Sequence, residues 1–126
     1  MNALHTRTFR ANGAIGWWRI VAPHASIAGD VIQAAAATAS LIGVCVQPKG
    51  AANAERCDVQ LTGEVMIEAG AAFSAGALLT SDASGRAVAA APAAGVNNRI
   101  IGLALEAAAA AGDQCRVLLN QCSLQG

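Results

Sequence analysis

The apolar positions of this chain fall in short blocks separated by glycine-rich and polar stretches. "GWWRIVAP", "RIIGLAL" and "CRVLLN" are apolar runs of strand length, each containing β-branched residues. In "DVQLTGEVMIEAG", Val59 and Leu61 alternate with Asp58, Gln60 and Thr62, the period of a half-buried strand. Between the blocks, "IAGD" and "SAGA" place a glycine where a turn needs positive φ. "SDASGRA" joins "ALLT" to "RAVAA" as a hairpin connection. Many short strands with Gly-rich turns predict an all-β fold, a small β-barrel or β-sandwich.

The blocks also repeat. "SIAGDVI … LIGVCV … ERCDVQL" is followed by "SAGALLT … IIGLAL … DQCRVLL". Ala28-Gly29 matches Ala75-Gly76, Ile42-Gly43 matches Ile101-Gly102, and Cys57 matches Cys115. Aligned this way, the second half carries about a dozen extra residues, within "SDASGRAVAAAPAAGVNN". The repeat bears on "EAAAAAGD" (residues 106–113), where the alanine run favours helix by propensity alone. Its counterpart "QPKGAANAE" contains Pro and Gly, which signal a loop. The expectation is therefore one strand–loop–strand unit used twice, with at most short helical turns here or at "IQAAAATAS". A single β-rich domain over residues 17–126 and an extended N-terminal arm over residues 1–16 complete the expected organisation.

Composition narrows the function. Aromatic residues make up 3% of the chain and tyrosine is absent, so the core must be built from Ile, Leu, Val and Ala. Only 13% of residues are charged, eight basic and eight acidic, for a net charge of zero. A free domain usually covers a quarter or more of its surface with charge. Here either small residues supply a bland surface or much of that surface is buried against other chains. The basic residues are scattered singly, which argues against a phosphate-binding patch and a nucleic-acid partner. No uninterrupted apolar run is long enough for a membrane span. The N-terminus lacks the apolar stretch of a signal peptide, so the expected place of synthesis is a cytoplasm.

Candidate chemistry is sparse. No serine lies in a G-x-S-x-G motif, and no Gly-rich stretch is followed by Lys-Ser/Thr. Asp82 and Ser84 sit in a turn that accounts for them. Asp58, Glu64, Glu68 and Asp113 offer no supported carboxylate pair. Cys45, Cys57, Cys115 and Cys122 have no C-x-x-C spacing, and His5 and His24 have no neighbouring ligands. Reduced thiols are expected, with no catalytic, metal or cofactor residues. The strongest contact candidates are Trp17 and Trp18, with Arg19 beside them. Adjacent strand residues face opposite sides, so one ring would pack inside and the other meet solvent, a neighbouring strand or, the favoured reading, a partner. The polar arm would either be disordered alone or become ordered on such a partner with Phe9 as its anchor.

One stretch resembles a known family. "AGAAFSAGALLTSDASGRAVAAAPAAGVNNRIIGLALEAAAAAGDQCRVLLNQ" is similar to the C-terminal half of tailed-phage capsid cement (decoration) proteins. The shared order is Ala75-Gly76, a strand, Asp82, Gly85-Arg86, Ile101-Gly102-Leu103-Ala104, the alanine link 107–111, Gly112-Asp113 and the closing strand 117–119. "IAGDVI" and "IGVCV" match more loosely, so the resemblance runs from Ile20 to Gln121. Trp17-Trp18 departs from the family's small or polar residues. The resemblance implies a non-enzymatic virion protein on the outer surface of an expanded capsid. It would form homotrimers, with the major capsid protein as partner and no cofactor. The alternatives are another virion part (head fibre base, spike or tail component) and, further off, a small ligand-binding domain or enzyme.

Overall fold

A computed structural model describes residues 6–92 and 94–125, and it is all-β. Ten strands follow in order: β1 (Thr6–Ala11), β2 (Ile20–Pro23), β3 (Asp30–Gln33), β4 (Gly43–Cys45), β5 (Arg56–Gln60), β6 (Glu64–Glu68), β7 (Leu78–Ser81), β8 (Ala87–Ala89), β9 (Asn97–Ala104) and β10 (Gln114–Gln125). The first five close a barrel in the order β1-β3-β2-β4-β5. The second five form a sheet in the order β6-β10-β9-β7-β8, and a single parallel bridge, Ala69 to Ala87, joins its two edges.

These are two copies of one topology. Phe9 pairs with Cys57 as Ile67 pairs with Cys115. Val21 pairs with Gly43 as Leu79 pairs with Gly102. The isolated bridge Ile15–Ala51 recurs as Phe73–Ala108. The buried interiors correspond residue by residue. Ala11, Ile15, Val21, Val31, Cys45, Ala51, Cys57 and Val59 fill the first barrel. Ala69, Phe73, Leu79, Ala87, Ala104, Ala108, Cys115 and Val117 hold the same places in the second. The duplication expected from sequence is thus real, and its register differs from the expected one in one place. Ala75-Gly76 corresponds to Trp17-Trp18, not to Ala28-Gly29. Gly76 N–H donates to Ala104 C=O at 2.7 Å as Trp18 N–H donates to Cys45 C=O at 2.9 Å. Both residues have positive φ, 88° and 63°. Ala-Gly dipeptides mark several turns here, and the first alignment joined two different ones. With the corrected register, the extra dozen residues vanish.

The second barrel closes only partly by itself, where Gly70 N–H donates to Ala87 C=O at 2.7 Å as Asn12 N–H donates to Val31 C=O at 2.8 Å. In the first, Arg10 N–H donates to Gly29 C=O at 3.0 Å and closes β1 on β3. The corresponding groups of the second barrel, Glu68 N–H and Gly85 C=O, are drawn apart. The segment 18–20 of the first barrel lies between them: Glu68 N–H donates to Trp18 C=O at 3.1 Å, and Ile20 N–H donates to Gly85 C=O at 2.8 Å. Ile20, Ala34, Leu41 and Val44 accordingly join the second barrel's apolar cluster. That cluster therefore runs across the junction, and the two barrels share one core there.

The alanine run is a loop without helix. Ala108 bridges to Phe73, and Asp113 Oδ2 accepts from the N–H groups of Ala109 and Ala110 at 2.9 and 3.2 Å. The pairing and the carboxylate take the backbone groups a helix would need, so tertiary context overrides propensity. "IQAAAATAS" likewise has no helix among the described residues. The "SDASGRA" hairpin forms as expected: Asp82 Oδ1 accepts from Ser84 N–H and Arg86 N–H at 2.8 and 2.9 Å, and Gly85 has φ 74°. Of the stretch read as an arm, Thr6–Ala11 is a barrel strand paired with both β3 and β5. Its side chains are mostly exposed, so it has no apolar period that could mark it as a strand. Residues 1–5 of that stretch lie outside the described residues.

Two glycines mark where adjacent strands come closest. A Cβ on Gly102 would meet the Leu118 carbonyl oxygen, with Val117 Cγ1 at 3.0 Å; one on Gly43 would meet the Gln60 carbonyl oxygen, with Val59 Cγ1 at 2.7 Å. We expect Gly43→Ala and Gly102→Ala each to lower unfolding free energy by roughly 1–3 kcal/mol. Exposed Ala91→Ser should stay within about 0.5 kcal/mol. Urea unfolding midpoints check both.

Candidate partner-binding surfaces

Trp17 and Trp18 precede β2 in a turn and are not part of a strand. Alternation along a strand therefore does not set the two rings on opposite sides. The rings stack, with centroids 5.0 Å apart and planes at 22°. Trp18 holds the left-handed conformation that its counterpart takes with glycine, a conformation costing a bulky residue on the order of 1–3 kcal/mol. Its ring packs on the cluster shared by the two barrels, and both its backbone groups are bonded. Trp17 lies outside that contact and is 40% exposed.

Arg19 belongs to the junction. Its guanidinium donates to Ser84 C=O at 2.7 Å and to Glu68 Oε2 at 3.2 Å. Glu68 also pairs with Arg86 at 3.7 Å, and Arg86 with Asp82 at 3.5 Å. Two cations and two anions thus neutralise one another across the seam. Phe9 stands apart from this group: it packs against the first barrel's cluster, with the Arg7 guanidinium 5.1 Å above its ring. The structure thus brings Trp17, Trp18 and Arg19 together, and leaves Phe9 on another wall.

The other polar candidates have structural partners. Asp58 accepts from Arg56 Nε and Nη2 at 3.1 and 3.2 Å and from the Thr8 hydroxyl at 2.8 Å. The Arg56 guanidinium, then the Thr8 hydroxyl, holds its carboxyl below the usual range. Cys45, Cys57 and Cys115 are buried and Cys122 is exposed. Cys57 Sγ donates to Cys45 Sγ at 3.5 Å; that hydrogen bond, then burial, pushes the Cys57 thiol up. Burial does the same to Cys115. Among the described residues no three His, Cys, Asp or Glu side chains are grouped to hold a metal, and none of them line a pocket.

The surface feature that sequence reading missed is a row of leucines. On adjacent strands β7, β9 and β10, Leu78 pairs with Leu103 and Leu103 with Leu118. Leu78 and Leu118 are 39% and 38% exposed, and Leu105 just beyond β9 is 39% exposed. The signal was available in the corrected repeat, which sets these positions against Ile20, Val44, Gln60 and Val46.

Trp18→Ala should cost about 2–4 kcal/mol of stability, because it empties the junction. Trp17→Ala should cost under about 1 kcal/mol. Denaturant titration of the two variants separates the structural ring from the exposed one.

Comparison with known proteins then bears on the whole assembly. A family model described as phage cement protein matches residues 18–119. That span begins at the ring that fills the junction and takes in both barrels except β1 and the end of β10. No curated protein matches the chain. Among solved structures the chain is similar to the head fiber gp8.5 N base of bacteriophage phi29, with 20% identity and a TM-score of 0.71. The alignment covers 98% of this chain and 100% of that one, a likeness of fold. With most of its length accounted for by one family model, the chain belongs to the phage cement protein family and is a structural, capsid-associated protein of the phage virion.

Proposed function

We propose that the protein cements an expanded phage capsid from outside, as a homotrimer that ties neighbouring major capsid protein subunits together. The observation that carries this reading is the family match, which spans both barrels. The chemistry of the chain suits it. A neutral chain with 13% charged residues meets little electrostatic cost when packed closely in a lattice. Trp17 and Phe9 offer aromatic surface for the shell. A protein that binds the expanded shell alone stabilises it by mass action, by about 2.7 kcal/mol per site at a free concentration one hundred times Kd. Trimeric binding then multiplies weak contacts, since docking one copy raises the effective concentration of the others. No chemical step is required of any residue.

A second reading is supported by the fold likeness to the head fiber base: the same double barrel would serve as the foot of a projecting fibre. The two readings differ in copy number and position on the virion.

The test is sedimentation of the protein with expanded and unexpanded capsids of its own phage. We expect it to pellet with expanded shells alone and to raise the temperature at which they open. Trp17→Ala should weaken that binding about tenfold, the loss of one modest aromatic contact. Failure to pellet with expanded shells would overturn the cement reading. Electron microscopy of virions should show copies spread over the facets; copies confined to a few fibre-bearing positions would favour the second reading.

A further inference from the structure

We infer that the outer face of β7, β9 and β10, built on Leu78, Leu103, Leu118 and Leu105, is the surface through which copies of this chain pack against one another. This rests on the homotrimer proposed above and names the face that makes it.

The repeat provides an internal comparison. On the first barrel the same face carries Ile20, Val44, Gln60 and Val46. Ile20 and Val44 are 0% exposed and Gln60 is 7% exposed. What covers Ile20 and Val44 is the second barrel, whose cluster they join, and Val46 packs against that cluster too. On the second barrel Leu78, Leu105 and Leu118 are open and Leu103 between them is half-buried. One face is thus present twice in the chain, and its first copy is already used for barrel-to-barrel docking.

The stripe is also continuous with that junction. Ile101 on β9 is fully buried in the shared cluster. Beside it, Ala37 C=O of the first barrel accepts from Arg99 N–H at 2.7 Å and from Thr80 Oγ1 at 3.5 Å. Leu103 and Leu105 follow at every second residue, so the apolar stripe leaves the junction and runs out into solvent. The backbone repeats the pattern. Trp18 C=O and Ile20 N–H are the groups that dock the first barrel, and their counterparts, Gly76 C=O and Leu78 N–H, carry no equivalent bond among the described residues.

The occupant that these observations favour is a second copy. A barrel of this same chain covers this face inside the molecule. The rim carries both signs of charge, Arg116 beside Glu106 and Glu64 beside Leu118, and the chain is neutral, so like copies do not repel. Docking cannot continue head to tail through a seam, because the first barrel's seam is shut by the bond from Arg10 N–H to Gly29 C=O. In the trimer the leucine face of each copy would lie about the three-fold axis, where three copies bury it together and the ring closes.

The experiment is sedimentation velocity and equilibrium of the full chain against two variants. One is the double variant Leu78→Glu/Leu118→Glu. The other is the control Ile27→Glu, which changes a residue 44% exposed on the first barrel. Wild type and control should sediment as trimers, and the double variant as monomers with native circular dichroism and association at least about a hundredfold weaker. A trimeric wild type with a double variant that stays trimeric would overturn this face and leave the trimer standing. If that variant instead lost only capsid binding, the face would belong to the shell, which also overturns the inference. A wild type monomeric at all concentrations would sink the trimer reading and this inference with it. Should the double variant misfold, Leu105→Cys in a Cys122→Ser background serves instead. Oxidation should then cross-link copies on a non-reducing gel, and absence of any cross-link would overturn the proposal.

Discussion

A backbone donor and a backbone acceptor removed from water must be paired, and the second barrel cannot pair its own. Glu68 N–H and Gly85 C=O are satisfied only by the segment that enters between them from the first barrel. Much of the molecule follows from that one need. Trp18 presents its carbonyl from the left-handed conformation that Gly76 takes at the same place in the second repeat, and its ring is kept there by the shared cluster. Arg19 points across the seam and meets Glu68 and Ser84. Ile20 goes from what would be an outer face into the deepest part of the junction. The two repeats then cannot be equivalent, since one gives the segment and the other receives it.

The sequence made part of this readable. Short apolar runs, alternation in "DVQL" and the Asp82–Gly85 turn chemistry all report local structure, and the hairpin and strands appear where those signals lie. The alanine run was legible only through its partner repeat, because Ala108 pairs with Phe73 far away in the chain. The register of the repeat was not legible from dipeptides. Its diagnostic turn uses Gly76 once and Trp18 once, and no propensity scale equates those two residues. β1 was hidden for a different reason. It is held by backbone pairing to β3 and β5 while its side chains mostly face water, so it leaves no apolar period to read.

The partner-facing surface shows the same division. An exposed Trp17 could be expected from sequence, but Trp18 and Arg19 turned out to serve the junction. Conversely, Leu78, Leu103 and Leu118 look like ordinary strand residues along the chain. Only the pairing of three strands sets them side by side, and only comparison with Ile20 and Val44 makes their exposure informative. Interface reading in a duplicated fold is therefore a question of which repeat has lost its cover.

The shared seam also sets an order of events. The segment that completes the second barrel lies early in the chain, between β1 and β2 and at the start of β2. It leaves the ribosome before any strand of the barrel that it completes. The first barrel can close on its own hydrogen bonds while the rest is still being made. A second barrel that folds later meets that segment as a template already in place, and the edges it pairs are covered as they form.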